Sequence, residues 1–359
     1  MSNEGKTMDD RNDPGSETAT AAESSNIGAS TTRTRIGLDV GTSKVVIARG
    51  DSTRSESGTQ LNAFFVVPYS SLHEATLQNN RVPFFREGDE LVVYGSASEK
   101  FAHMFNAEVR RPMAQGVLNP GEPAATHVLE TLLGTLVPVA RSPGELLAFS
   151  VPAASAETGH ALTYHEETLK RYVRERGYTP LAVNEGLAVV LAELAKESFT
   201  GIGISCGGGM CNVAVSYLSI PSLTFSLAQG GDFIDSAVGA VVREPATRVK
   251  AIKEETLDLA QPGSDKIGKA LHIYYDTLIE SLVEELIRAV TRSQRLPRSE
   301  QPLPIVLAGG TAKPNGFRER FEKALRQRTL PFKVADVRLA SDPLTATARG
   351  ALVAALAER

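Results

Sequence analysis

The stretch Gly37-Leu38-Asp39-Val40-Gly41-Thr42-Ser43-Lys44-Val45-Val46 holds an apolar strand, a carboxylate, one spacer, a glycine turn and a second apolar strand. Further along, Gly203-Ile204-Ser205-Cys206-Gly207-Gly208-Gly209-Met210-Cys211-Asn212-Val213 repeats the pattern, with Ser205 at the place of Asp39. The pair reads as one structural unit used twice. Glycine permits positive φ and lets a bulky anion approach the backbone closely. Successive N–H groups in such a turn form an anion nest. Two ordinary tight hairpins would account for either copy alone. The pair favours a clamp that holds nucleotide phosphates between two domains, with a carboxylate orienting Mg²⁺.

The surrounding composition sets bounds. The 359-residue chain carries 38 Lys and Arg against 42 Asp and Glu, a net charge of −4, and is 42% hydrophobic. That length suggests two domains, and that apolar fraction excludes wholesale disorder. Near-neutral balance without a basic run argues against a nucleic-acid partner. No stretch approaches the ~18 apolar residues of a membrane span, and the N-terminus lacks the apolar core of a signal peptide. Residues 1–34 are polar, with Ile27 their one large aliphatic side chain, and read as a disordered tail. Cys206 and Cys211 are too few for a disulfide framework and wrongly spaced for C-x-x-C, so they read as reduced, small buried residues in a cytoplasmic protein.

Periodicity outlines α/β elements. Strands are expected at 36–40, 45–48, 61–67, 91–94, 146–151, 201–205, 212–219, 223–227, 304–308 and 332–339. Helices are expected at 123–137, 163–176, 187–195, 269–292, 317–325 and 343–357. The longest carries the stripe Leu271, Tyr274, Leu278, Leu282, Leu286 and Val290. In the 163–176 helix, Glu166/Lys170 and Glu167/Arg171 stand at ion-pairing spacing.

Taken together, these segments resemble the actin, heat-shock chaperone and sugar-kinase ATPase superfamily. The first loop resembles its phosphate-1 motif, in the version of the division protein FtsA, and the second resembles phosphate-2. Ile305-Val306-Leu307-Ala308-Gly309-Gly310-Thr311 is similar to the adenosine motif. Three stretches resemble MreB, the bacterial actin: Arg111–Val117, Gln229–Asp235 and Ser341–Gly350. The resemblance implies an actin-like fold of duplicated α/β units around a nucleotide cleft. Domain I would take 35–139 plus 341–359, and domain II 140–340. The implied ligands are ATP or another purine nucleotide, with Mg²⁺.

Residue by residue, the resemblance places Asp39 at the metal. It sets Gly41, Thr42, Ser43 and Lys44 on one side of the phosphates, and Gly207, Gly208, Gly209 and Gly231 on the other. Gly309, Gly310 and Thr311 fall at the adenosine, and Glu185 at the connecting motif, where it would polarise the attacking water. A solvated acid at a helix N-terminus is the plainer reading of Glu185. Self-assembly into cytoplasmic filaments, linked to cell shape or intracellular organisation, is the implied behaviour, alongside further, unidentified protein partners.

The sequence also departs from the pattern. Ser205 replaces the usual phosphate-2 aspartate, Met210 replaces a hydrogen-bonding threonine, and Gly186 stands where MreB-like chains carry proline. Fewer charge-placing groups mean weaker Mg²⁺ binding and slow or absent hydrolysis. The alternative is therefore a non-polymerising nucleotide-binding adaptor or pseudo-ATPase regulator. Restoring aspartate at 205 is expected to raise hydrolysis if Glu185 is in place. Phe101, Met104 and Phe105 are spaced for burial on a helix face, and the tail offers no amphipathic helix, so membrane association is expected to be weak or indirect. Gly203-Ile204-Ser205-Cys206-Gly207 matches a hydrolase elbow, yet glycines and a strand follow where a helix is required.

Overall fold

The computed structural model describes residues 35–51, 54–154, 159–293 and 301–358. The expected 1–34 tail lies outside them. The described residues begin with antiparallel strands β1 (Arg35–Val40), β2 (Lys44–Gly50) and β3 (Ser55–Leu61). A small sheet follows, built from β4 (Phe64–Pro68), β5 (Phe84–Glu87) and β6 (Glu90–Tyr94), with α1 (Ser71–Asn79) between β4 and β5 and α2 (Ser96–Phe101) after β6. Next come the short hairpin β7 (Met113–Ala114) and β8 (Val117–Leu118), then α3 (Ala125–Leu136), β9 (Leu146–Val151), α4 (Gly159–Glu175), β10 (Thr179–Asn184) and α5 (Glu185–Glu193).

The second half repeats this plan. Strands β11 (Gly201–Cys206), β12 (Cys211–Tyr217) and β13 (Ile220–Leu227) form a meander, followed by α6 (Gly231–Val242), α7 (Ala246–Thr256) and α8 (Lys266–Arg292). Then come β14 (Leu303–Ala308), α9 (Phe317–Arg326), β15 (Val334–Leu339) and α10 (Ala346–Ala357). The first large sheet runs β10-β9-β1-β2-β3 and the second β15-β14-β11-β12-β13. These are the same topology, with Asp39 and Ser205 at the same place in β1 and β11. The expected boundary at 139/140 falls inside the chain that builds the first sheet, since β9 and β10 pair in parallel with each other and β9 with β1.

Each sheet buries one face under long helices. Ile36, Leu38 and Val40 pack with Leu129 and Leu133 of α3 and Leu169 and Val173 of α4. In the second sheet, Ile202, Ile204 and Ile305 pack with Leu278, Leu282 and Leu286 of α8 and Phe317 and Phe321 of α9. The α8 stripe is buried as expected at Leu271, Leu278, Leu282, Leu286 and Val290 and differs only at its tyrosine. Tyr275 is the buried tyrosine, while Tyr274 is partly exposed and meets Phe233 edge-on. The expected strand 61–67 divides at Asn62, a fully buried polar residue that ends β3 and holds the adjacent loop.

The inner faces of both sheets meet α5 and α10. Ala188 of α5 and Ala351 and Ala355 of α10 pack with Ala148 and Val183. Small residues allow backbones to touch: a Cβ on Gly350 would collide with the Ala188 carbonyl, and one on Gly186 would lie 2.5 Å from Ala214 N. That contact explains Gly186, because no side chain fits between α5 and β12. Elsewhere, Glu166 pairs with Lys170 as expected, but Glu167 pairs with Lys170 as well, and Arg171 turns to Glu130 and Glu175. Phe101 and Phe105 pack on the small sheet's core, whereas Met104 is 64% exposed, because the helix gives way to a 3₁₀ turn at Ala102.

Replacing Gly350 by valine should separate α10 from α5 and destabilise the protein by about 3 kcal/mol, the upper range for overpacking a tight core. Urea denaturation of G350V would measure the loss, and Gly350→Ala should show a smaller one.

Candidate functional site

The two glycine turns face each other across a cavity of about 490 Å³. Asp39, Gly41, Thr42, Ser43 and Lys44 line it from the first half. Gly207, Gly208, Gly209 and Gly231 line it from the second, and Gly309, Gly310 and Thr311 lie beyond them. Glu185 lines the same cavity, so every expected site residue converges there.

The first turn closes through Gly41 N–H donating to the Lys44 carbonyl at 3.0 Å. Asn62 braces it from behind, its backbone N–H donating to the Ser43 carbonyl and its side-chain amide to the Gly41 carbonyl. The second turn closes in the same manner, Gly207 N–H to the Met210 carbonyl at 2.9 Å. Two further carbonyls of this turn are engaged as well. Gly207 O accepts from Gly231 N–H and from the Thr311 hydroxyl, and Gly208 O accepts from Asp232 N–H. Tying up these acceptors removes oxygens that would repel an anion.

The turns also touch. A Cβ on Gly209 would lie 2.5 Å from Thr42 Oγ1, and one on Gly208 would collide with the Ser43 hydroxyl. Thr42 Oγ1 accepts from Gly116 N–H at 3.0 Å. The Met210 side chain has no donor to offer the turn, and it is buried against Gly116, whose added Cβ would meet its sulfur at 2.8 Å. It therefore acts as an apolar spacer between the β7–β8 hairpin and the second turn.

Beneath the turns lie two carboxylates. Asp39 Oδ1 accepts from the Ser150 hydroxyl at 2.7 Å. Burial lifts its pKa to about 6 despite that bond. Glu185 begins α5, just after Asn184, whose side chain caps the helix by accepting from Leu187 N–H. Glu185 Oε2 accepts from Ser205 Oγ at 3.3 Å and from Asn212 Nδ2 at 2.9 Å. Burial first, and then the negative charge of Asp39, push its pKa to about 8. Glu185 is thus 8% exposed rather than a solvated helix-end acid. Ser205 does more than subtract a charge, since its hydroxyl donates to Glu185. In the metal-free protein, an aspartate at 205 would set a third carboxylate against the other two. The elbow alternative loses its geometry too, because Ser205 lies inside β11 and leads through a turn into β12.

Sequence reasoning missed Asn62, Ser150 and Asn212, which position the named residues. It also missed the buried pair Lys253–Asp235 at 2.8 Å, which lines the cavity and binds the Gly231 carbonyl through Lys253. Asn62 had a signal, a lone polar residue inside an apolar run.

Duplicated five-stranded sheets joined by paired helices, with glycine turns facing over a shared cavity, define the actin-like fold. The sequence matches the Volactin family over residues 34–355, and the chain belongs to that family. Among solved structures, it is similar to the MamK double helical filament, with a TM-score of 0.68 and 19% identity over 90% of this chain and 98% of that one. Spiroplasma citri MreB5 bound to ADP gives a TM-score of 0.62 and 15% identity over 89% of this chain and 95% of that one. The ethanolamine utilization protein EutJ from Carboxydothermus hydrogenoformans gives 0.55 and 16%, over 89% of each chain. No curated protein matches the sequence.

The raised Glu185 pKa carries a stability signature. Between the ordinary value of 4.5 and about 8, the folded state holds a proton that the unfolded state has lost. Stability from this group is therefore fully present below the unfolded pKa and is lost as pH rises through 8. In metal-free buffer, Glu185→Gln should melt near wild type at pH 5 and above it at pH 9. A Tm difference constant across that range would remove the buried proton.

Proposed function

We propose that the protein is an actin-like nucleotide-binding protein that assembles into filaments and hydrolyses ATP slowly or not at all. One observation carries this reading: two copies of the same glycine turn face each other over a cavity whose floor holds two carboxylates. The neighbours add support, since MreB5 is seen with ADP and MamK as a double helical filament. In this reading, the turns take the phosphates of ATP or another purine nucleotide, and Gly309, Gly310 and Thr311 take the nucleoside side. A role in cell shape or intracellular organisation follows from the filament, and a cytoplasmic location accords with it. Among the described residues, no helix is long and apolar enough to cross a membrane.

Mg²⁺ suits the donor set. It favours oxygen ligands and keeps most of its waters, binding through one or two carboxylates and phosphate oxygens. Asp39 would hold it, with Glu185 beside it. The raised proton affinity of both groups marks a spot where a cation would relieve repulsion. When bound, Mg²⁺ supplies charge neutralisation at the phosphates. Glu185 would orient a water through the oxygen left free by Ser205 and Asn212. In the metal-free protein it holds a proton near neutral pH and is a weak acceptor. The same feature favours the second reading, a nucleotide-binding adaptor without turnover.

Ultracentrifugal pelleting with Mg-ATP, Mg-ADP or no nucleotide, with phosphate release followed in the same samples, tests the proposal. Nucleotide-dependent pelleting is expected, with little phosphate released. A soluble protein that binds nucleotide under every condition would favour the adaptor. Asp39→Ala should lower Mg-nucleotide affinity by at least tenfold, about 1.4 kcal/mol, and unchanged affinity would remove Asp39 from the site.

A further inference from the structure

The end of the cavity beyond the glycine turns is walled by two connections of the second half. Lys313, Pro314 and Asn315, ahead of α9, line it from one side, and Glu254 and Leu257, at the end of α7, from the other. Leu259, only 2% exposed, joins the two. Its N–H donates to the Asn315 carbonyl at 2.8 Å. Asp258 Oδ1 accepts from the Asn315 side chain at 3.1 Å and from Ala260 N–H at 2.8 Å. The connections touch so closely that a Cβ on Gly316 would lie 2.5 Å from Ala260 N. A shift of Leu259 therefore carries Asn315 with it.

What fixes Leu259 lies outside the cavity. Arg320 of α9 grips its carbonyl with two donors, Nε at 3.1 Å and Nη2 at 2.8 Å. Nη1 donates to Asp276 of α8 at 2.7 Å. Nη2 also donates to His272 Nδ1 of α8 at 2.7 Å, and a backbone hydrogen bond joins the same ring to Asp258. Arginine has donors alone, so His272 must be neutral at Nδ1 to accept. Arg320, Asp276 and Asp258 are the charged groups that face this imidazole. Burial first, and then the Arg320 charge, lower its pKa, which keeps the ring neutral at pH 7. A second proton would bring two N–H donors and two positive charges together along that contact.

We infer that Arg320 is a positioning residue for the nucleoside: by holding Leu259, with neutral His272 as its acceptor, it fixes the Asn315 side of the cavity and sets the grip on the nucleoside apart from the grip on the phosphates. This role rests on the nucleotide reading above.

Calorimetric titration of the full-length protein with two ligands separates the ends of the cavity. Mg-ATP occupies both, whereas Mg-tripolyphosphate meets the glycine turns alone. Arg320→Lys keeps the charge but loses the planar fork that reaches Leu259, Asp276 and His272 together. It should weaken Mg-ATP about tenfold, the scale of one charge-assisted hydrogen bond, and leave Mg-tripolyphosphate unchanged. Asp39→Ala, by contrast, should weaken both. Between about pH 7.5 and about pH 5, the wild-type preference for Mg-ATP over Mg-tripolyphosphate should shrink several-fold as His272 gains its proton. Taking the ratio of the two ligands cancels the titration of the phosphates, Asp39 and Glu185. His272→Gln offers an acceptor that does not titrate, and its preference should stay constant over that range. Equal weakening of both ligands in folded R320K, no weakening of either, or an H272Q preference that falls like that of the wild type would overturn the role. Far-UV dichroism checks that R320K folds; should it not, H272Q decides alone. Wild-type protein that binds neither ligand would sink the nucleotide reading, and this role with it.

Discussion

Everything in the site depends on how closely two backbones approach. The turns at Gly41–Lys44 and Gly207–Met210 come together so tightly that Gly208 and Gly209 have no room for a Cβ. That approach is possible because each turn is a hairpin at the end of a strand pair in register, Val40 opposite Val45 and Cys206 opposite Cys211. The sheets are in turn held at the required separation by α5 and α10, which pack on each other through glycine and alanine. A side chain added at any of these levels would spread the turns. The glycines are thus a chain of distance constraints running from the core to the cavity.

The two copies share geometry but have divided the chemistry. The first keeps Asp39, oriented by Ser150 from the neighbouring strand. The second has Ser205 and, opposite it in β12, Asn212, both donating to Glu185. Asn212 is further fixed by accepting from Ala153 N–H at 2.9 Å, which sets the orientation of its amide. One half contributes negative charge to the floor of the cavity and the other contributes donors that manage it.

The glycine turns and their duplication were legible in the sequence, because glycine placement and apolar strands are local signals, whereas the convergence of Asp39, Glu185 and Thr311 was implied only by the family resemblance. The supporting residues were not legible. Ser150 and Asn212 lie inside strands, where a polar residue reads as a solvent-facing position until the neighbouring strand is known. Lys253 and Asp235 lie on separate helices, and their pairing emerges only when α6 and α7 fold together. Strands β9 and β10 follow the expected boundary at 139/140 yet join the first sheet, since parallel pairing depends on a crossover rather than on sequence proximity. Glu185 shows the same limit for electrostatics. Its place at a helix start was visible, but its protonation depends on burial and on Asp39, which is remote in the chain.

Ser205 also changes what the cavity asks of its surroundings. Three clustered carboxylates would present a field that rejects polyanions unless a cation arrives first. With a hydroxyl in the third place, and Glu185 retaining its proton near neutrality, the floor carries little more than one negative charge. On the nucleotide reading proposed above, the order of arrival would thereby be relaxed: an anionic ligand would settle against the glycine turns before its counter-ion, and occupancy of the cleft would be less bound to the local supply of divalent metal.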